Sequence, residues 1–141
     1  RAALADGTID VVCSDHTPVD DDGKMLPFAE AEPGATGLEL LLSLTLKWAT
    51  EAKVALPEAL ARVTSGPGRV LAGASVQATL AGQIGVGAPA DLCVVDPKAF
   101  WQVNRESFLS QSQHTPFLGM ELPGRVCLTM VRGQVAWELA G

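Results

Sequence analysis

The sequence lacks the features that would place it in a membrane or on nucleic acid. No apolar run reaches the roughly 18 residues needed to cross a bilayer, because the leucine-rich stretch ends at Lys47. Only 10 Lys and Arg stand against 16 Asp and Glu, and they form no cluster that would neutralise a phosphate backbone. We therefore expect neither a membrane nor nucleic acid as a partner.

The sequence also has few residues of the types that bind metals. It contains two His and three Cys, with no His-X-His pair, no Cys-X-X-Cys and no His-Glu-X-X-His motif, so this chain alone should not build a closed zinc site. The acidic run of residues 20–22 lacks the spacing of an EF-hand and is interpreted as a solvated loop. The glycines of residues 82–87 match neither the dinucleotide fingerprint nor the P-loop, and no serine stands in a nucleophile elbow.

The three cysteines are far apart, and each lies in an apolar, strand-like setting, at Cys13, Cys93 and Cys127. We interpret them as buried thiols of a cytoplasmic protein, with a metal or disulfide role as the alternative. The sequence starts at Arg1 without an initiator Met and shows no signal-peptide pattern. We expect the numbering to begin inside a longer protein.

What is present indicates a packed, folded chain of 141 residues, of which 48% are hydrophobic. The apolar run Ile9–Cys13 is typical of a strand buried on both faces of a parallel sheet, and a loop of about 20 residues follows it. Leucines on nearly every face of residues 38–52 predict a helix buried on more than one side. Shorter helices are predicted for residues 56–63 and 65–73.

The second half of the sequence changes to strands and turns. The predicted strands are residues 82–87, 90–97, 125–131 and 134–138. Arg132-Gly133 is predicted to form the turn of a hairpin between the last two strands. A polar linker at residues 74–80 precedes these strands, so we place a boundary near residue 75.

Asp15 follows the predicted strand directly, and catalytic groups of α/β barrels lie at the C-terminal ends of strands. A carboxylate there could bind a divalent metal and take a proton from metal-bound water. Alternatively, its side chain caps the following turn. The neighbouring His16 is either a hydrogen-bonded structural residue or a ligand, and His114 is interpreted as a loop residue that orders a turn.

Six blocks of sequence occur in an order that matches a known family. They are Val12-Cys-Ser-Asp-His-Thr-Pro18, residues 26–28, residues 34–39, residues 82–96, Thr115-Pro-Phe-Leu-Gly119 and Thr129-Met-Val-Arg-Gly133. Each block alone is weak, but together they cover nearly the whole chain and resemble the C-terminal part of a dihydroorotase of the amidohydrolase superfamily. Allantoinases and dihydropyrimidinases resemble the chain more distantly, through the Asp-His-X-Pro block and the β half.

This resemblance implies an α/β fold, a TIM-type (β/α)8 barrel with a small β-sandwich domain. Residues 1–75 would supply the last barrel strand, the active-site loop and helices, and residues 76–141 would supply most of the sandwich. The implied activity is the interconversion of carbamoyl aspartate and dihydroorotate at a zinc site, in pyrimidine biosynthesis. The other metal ligands of the family would lie upstream of Arg1, so the fragment alone is predicted to be inactive and to hold no zinc.

By the same resemblance, Asp15 is the carboxylate that binds metal and acts as general acid/base. His16 and the glycine-rich segment, in particular Gly34 and Ala35, would contact the substrate. The family usually reads Asp-His-Ala-Pro-His, and its final His helps to hold the substrate carboxylate, whereas this sequence has Val19 there. Losing that charge-assisted bond costs about 1.5–3 kcal/mol, or roughly 10–150-fold in affinity.

Val19 gives weight to an alternative within the same family. Some members are non-catalytic homologues that associate with aspartate carbamoyltransferase, and Val19 favours a place for this sequence among them. An isolated barrel strand and helix would also expose faces made for neighbouring elements. We therefore expect the chain to contact the remainder of the barrel or another chain, as part of an oligomer.

Overall fold

A computed structural model describes residues 1–72 and 82–140. The helices are α1 (Ala2–Ala5), α2 (Asp21–Met25), α3 (Leu41–Ala52), α4 (Leu56–Ala61) and α5 (Ser65–Leu71), with short 3-10 turns at Leu38–Leu40 and Arg105–Ser107. The strands are β1 (Leu92–Gln102), β2 (Glu121–Val131) and β3 (Gln134–Glu138). The predicted linker, the boundary near residue 75 and the end of the predicted helix at Gly73 lie outside the described residues.

Helix α3 is buried on more than one side, as its leucine pattern predicts. It contacts strand β2 on one side and helix α4 on another, and its buried positions include Leu46, Trp48 and Ala49. The helix ends at Lys53, which takes a left-handed conformation (φ 57°) and donates its backbone N–H to the carbonyls of the last turn. Helix α3 thus packs against α4 of the helical half and against β2 of the β half.

The largest buried cluster joins residues from both halves of the sequence. Leu40 precedes α3, whereas Val103, Phe108 and Leu122 come from the β half, and all four are buried together. Because Leu40 and Leu122 are 0% exposed, each contributes about 1.5–3 kcal/mol through removal of its side chain from water. The packing of these side chains holds the helical part and the sheet in a fixed relation.

The sheet has three antiparallel strands in the order β1-β2-β3. The hairpin predicted at Arg132-Gly133 is confirmed, and the positive φ of both residues (50° and 80°) suits the right-handed twist of a tight hairpin. The first strand extends beyond its predicted end, to Gln102, and its pairing is irregular between Asp96 and Phe100, where Pro97 has no N–H to donate.

Two of the predicted strands are wrong for this structure. Residues 82–87 contain turns and no strand, and Ile9–Cys13 belongs to no sheet within the described residues. The backbone of the second segment makes isolated bonds to Ala3 and Arg62, such as Val12 N–H to the Arg62 carbonyl (3.0 Å). A strand needs a neighbour to complete its ladder, and the described part of the chain supplies none beside residues 9–13.

The prediction of buried cysteines is also wrong, because none of the three is buried. Cys13 and Cys93 are exposed, Cys127 is half-buried, and all three are free thiols. Cys13 is exposed because no sheet covers its segment. Partial desolvation raises the pKa of the Cys93 thiol. Among the described residues, no helix is long and apolar enough to cross a membrane.

Candidate functional site

Asp15 lies directly after the extended segment and is exposed. Its φ of 45° is in the left-handed region, which Asp tolerates better than most residues. The only hydrogen bond at this residue uses its backbone carbonyl, which accepts from the Thr17 hydroxyl (3.3 Å). Within residues 1–72 and 82–140 the carboxylate has no partner, so the alternative that it caps the turn is wrong.

His16 is half-buried and uses one ring nitrogen to hold the glycine-rich segment. Its Nδ1 accepts from the backbone N–H of Gly37 and of Leu38, both at 3.2 Å. A nitrogen that accepts two N–H bonds must be unprotonated, so the neutral ring carries its proton on Nε2. The interpretation of His16 as a hydrogen-bonded residue is confirmed, and any contact with a ligand falls to the Nε2 edge.

The segment Gly34–Gly37 is held at each of its residues. The Gly34 carbonyl accepts from the Lys24 ammonium (2.7 Å), and the Ala35 carbonyl accepts from the Thr17 N–H (3.0 Å). Thr36 bonds to the β half, as described below, and Gly37 bonds to His16. The two substrate-contact residues predicted in this segment are therefore fixed against the loop that carries Asp15.

Glycine is required here because the two backbones come very close. A Cβ at Gly34 would lie 2.5 Å from the Thr17 carbonyl oxygen, and one at Gly37 would lie 2.7 Å from the Ser14 carbonyl oxygen. Gly34 also has a φ of 127°, which residues with side chains rarely adopt. The close approach of the segment to residues 14–17 follows from these two glycines.

Residues 109–115 of the β half, which we call the bridging segment, pack against the same loops. The Thr36 N–H donates to the His114 carbonyl and the Thr36 hydroxyl donates to the Ser112 carbonyl, both at 2.7 Å. The Ser112 hydroxyl donates to the Val19 carbonyl (2.7 Å). The contribution of His114 to loop order thus comes through its backbone carbonyl.

Glu39 anchors the start of the bridging segment. Its carboxylate accepts from the Leu109 N–H (2.9 Å), the Ser110 N–H (3.0 Å) and the Ser110 hydroxyl (2.6 Å). Three donors to one half-buried carboxylate make a strong local attachment, because bonds to an ionised acceptor are stronger than neutral ones.

A polar cleft of about 330 Å³ opens between the two halves at this point. It is lined by His16, Pro18, Asp20, Ser110, Gln111 and Ser112. The loop after Asp15 forms one wall and the bridging segment forms the other. A larger cavity of about 450 Å³ lies between α3 and the sheet, and its lining includes neither Asp15 nor His16.

Val19 is part of the packing beneath the cleft. It is 7% exposed, and its two methyl groups face the positions of Gly23 and Gly34. Its side chain offers no hydrogen bond, and only its backbone carbonyl is engaged, by Ser112. The position where the resemblance expects a substrate-binding histidine is therefore occupied by a buried apolar group.

Asp15 is the carboxylate that the resemblance assigns to a metal. In the part of the chain that the structure describes, no three His, Cys, Asp or Glu side chains come together to hold a metal ion. The exposed, unpartnered carboxylate of Asp15 suits one ligand position, but one ligand does not make a site.

Several residues that build this site were not singled out from the sequence. Lys24 is part of an acidic loop, Ser112 is one of several serines, and Glu39 stands in a matched block without an assigned role. No local pattern distinguishes Ser112 and Glu39, because their partners are far away in sequence, as with Thr36 and Ser112, 76 positions apart.

No protein-family model matches the chain. Over 140 residues it is 37% identical to a dihydroorotase of Syntrophotalea carbinolica (strain DSM 2380 / NBRC 103641 / GraBd1), which covers 99% of this chain and 32% of that protein. Over 138 residues it is 38% identical to a dihydroorotase-like protein of Pseudomonas aeruginosa, which covers 98% of this chain and 31% of that protein. The chain thus spans about a third of the length of these relatives.

Solved structures match the fold over nearly the whole chain. A D-hydantoinase (dihydropyrimidinase) from Thermus sp. gives a TM-score of 0.84 at 26% identity, covering 97% of this chain and 30% of that one. An L-hydantoinase (dihydropyrimidinase) from Arthrobacter aurescens gives a TM-score of 0.80 at 31% identity, covering 96% and 30%. The described fold is therefore shared with a part of these larger proteins.

Proposed function

We propose, starting from the membership of this chain in the dihydroorotase-related amidohydrolases, that the protein is a cyclic amidohydrolase. The finer proposal is a dihydroorotase-type reaction, the interconversion of carbamoyl aspartate and dihydroorotate. The observation that carries it is the exposed, unpartnered carboxylate of Asp15 in the loop whose next residues, His16 and Thr17, are hydrogen-bonded to the Gly34–Gly37 segment. A carboxylate in a loop that is hydrogen-bonded to a fixed glycine-rich segment is an arrangement suited to binding and hydrolysing a ring amide.

In this proposal, each named residue has one task. Asp15 would hold a divalent metal together with ligands from outside residues 1–141, and its carboxylate would accept the proton of the attacking water and return it to the leaving nitrogen. The metal, zinc by resemblance, would supply Lewis acidity. Ala35 offers its backbone N–H, which has no partner within the described residues, to a substrate oxygen. His16 offers Nε2, because its Nδ1 is already engaged.

A second candidate is a non-catalytic homologue that binds aspartate carbamoyltransferase. Two observations favour it. Val19 is buried and cannot contact a substrate carboxylate, and the chain is as similar to a dihydroorotase-like protein (38%) as to a dihydroorotase (37%). In that case the loops around Asp15 would persist as structure without turnover.

The test is an assay of the full-length protein with zinc, in which the cyclisation of carbamoyl aspartate is followed. We expect turnover, and we expect Asp15→Asn to lower kcat by about 100-fold or more, because the amide cannot act as an acid or base. Asp22→Asn, an exposed acid in α2 outside the cleft, is the matched control and should leave kcat unchanged.

Absence of turnover in the zinc-loaded, folded wild type would reject the enzyme. Size-exclusion chromatography with aspartate carbamoyltransferase would then test the second candidate, for which a stable complex is expected. A protein that neither turns over substrate nor forms that complex would contradict both candidates.

A further inference from the structure

We propose that the bridging segment, residues 109–115, positions the Gly34–Gly37 segment, and that Thr36 is the positioning residue through which it acts. Its role in catalysis rests on the proposed function, but the positioning itself is a property of the fold. Thr36 makes two bonds of 2.7 Å to the bridging segment, one from its backbone N–H and one from its hydroxyl.

Thr36 is suited to this role by its chemistry and its burial. It has the only polar side chain among residues 34–37, and it is 0% exposed. Water therefore cannot replace the partner of its hydroxyl, and loss of that hydroxyl leaves the Ser112 carbonyl without its donor. The neighbouring Ala35, whose N–H is proposed to meet the substrate, takes its position from this attachment.

Ser112 extends the attachment to the opposite wall of the cleft. Its carbonyl accepts from Thr36, while its hydroxyl donates to the Val19 carbonyl (2.7 Å). His16, three residues before Val19, accepts the N–H groups of Gly37 and Leu38. The loop of residues 16–19, the glycine-rich segment and the bridging segment thus form a closed ring of hydrogen bonds.

Glu39 keeps the bridging segment from moving as a whole. Its three bonds to Leu109 and Ser110 fix the start of that segment, while the bonds of Thr36 fix Ser112 and His114. Gln111 lies between these two attachments and lines the cleft. A segment held on both sides of one residue is rigid, and rigid supports are what precise substrate geometry requires.

The consequence is that the bridging segment, which belongs to the β half, sets the geometry of the Gly34–Gly37 segment. Weakening the contact at Thr36 should loosen residues 34–38 while the rest of the fold stays intact, because local openings are set by local contacts. In an active enzyme, a looser Ala35 would bind substrate less well and hold it less accurately.

The test uses hydrogen exchange on the full-length protein with Thr36→Val, which keeps the shape and removes the hydroxyl, and Thr36→Ser, which keeps it. We expect Thr36→Val to speed amide exchange in the peptide of residues 34–38 by about tenfold, and Thr36→Ser to restore the wild-type rate. Thr45→Val is the matched control, because Thr45 is also buried but bonds within α3.

Unchanged amide exchange of residues 34–38 in a folded Thr36→Val protein would overturn the proposal. An equal increase in the exchange rate of residues 34–38 in Thr45→Val would overturn it as well. If Thr36→Val does not fold, Ser112→Ala decides, since it removes only the hydroxyl bonded to Val19. Faster exchange of residues 34–38 in that variant supports positioning by the bridging segment, and no change rejects it.

Kinetics separate this proposal from the proposed function. If the enzyme is active, Thr36→Val should raise KM about tenfold and lower kcat less, with recovery in Thr36→Ser. If exchange responds as expected but the wild type has no turnover, the positioning role stands and the enzyme assignment fails.

Discussion

Single residues decide how closely the loops of the site approach each other. Gly34 combines a φ of 127° with a position where a Cβ would lie 2.5 Å from the Thr17 carbonyl oxygen and 3.0 Å from a Val19 methyl. Neither contact can be relieved by a flexible side-chain end, because one involves backbone and the other a buried valine. The site is therefore intolerant of side chains at Gly34.

Gly34→Ala should accordingly destabilise the protein by at least about 2 kcal/mol, through backbone strain and steric overlap. The measurement is the free energy of unfolding from urea denaturation. Gly85→Ala is the control, because a Cβ there would meet no atom within 4 Å and Gly85 does not have a positive φ. Similar losses in both variants would contradict the argument.

At the scale of elements, helix α3 is attached to the sheet by a buried polar contact as well as by apolar packing. The Ser43 hydroxyl donates to the Gly124 carbonyl (2.8 Å), and the Trp101 indole N–H lies 3.0 Å from both oxygens. Gly124 permits this approach, since a Cβ there would collide with Leu46 of the helix. The contact fixes where α3 lies along strand β2.

Ser43→Ala removes a buried hydroxyl from this contact and leaves Trp101 with one acceptor. We expect a loss of about 1–2 kcal/mol in the free energy of unfolding, measured by thermal or chemical denaturation. Thr50→Ala serves as the comparison, because Thr50 is an exposed residue whose hydroxyl bonds to Leu46 within α3, so its loss should matter less. Equal effects of the two substitutions would show that the contact with the sheet adds nothing.

At the scale of the whole molecule, the described surface has many exposed apolar side chains. Ile9 is 47% exposed, Leu38 59% and Phe28 99%. Ile9 belongs to the segment that sequence predicts as a strand but that finds no sheet among residues 1–72 and 82–140. The chain spans about a third of the length of its relatives. We therefore propose that the elements which cover these apolar side chains lie in the remainder of the protein.

The 141-residue chain studied alone should therefore self-associate, because exposed apolar surface and unpaired backbone favour contact between copies. Static light scattering at micromolar concentration would measure this. Ile9→Lys should reduce the apparent mass more than Val86→Lys, which places the same charge at an apolar position outside the segment. A monodisperse monomer of the unmodified chain would rule this prediction out.

The sequence by itself determined several local elements and the resemblance to a family. The leucine pattern of α3, Pro57 in the first turn of α4 and Arg132-Gly133 in the hairpin each act through neighbours a few residues away, so they can be read directly. The same is true of Gly34, whose conformational freedom is a property of the residue. Similarity over nearly the whole chain then identified the relatives.

The tertiary structure decided which groups remain free and which are used. It showed that His16 Nδ1 accepts hydrogen bonds from the backbone and that Val19 is buried. It also showed that residues 9–13 belong to no sheet among the described residues. It also joined Thr36 to Ser112 across 76 positions and left Asp15 unpartnered among the described residues. Such contacts depend on how segments that are distant in sequence pack against each other. This packing leaves no periodic pattern in the sequence.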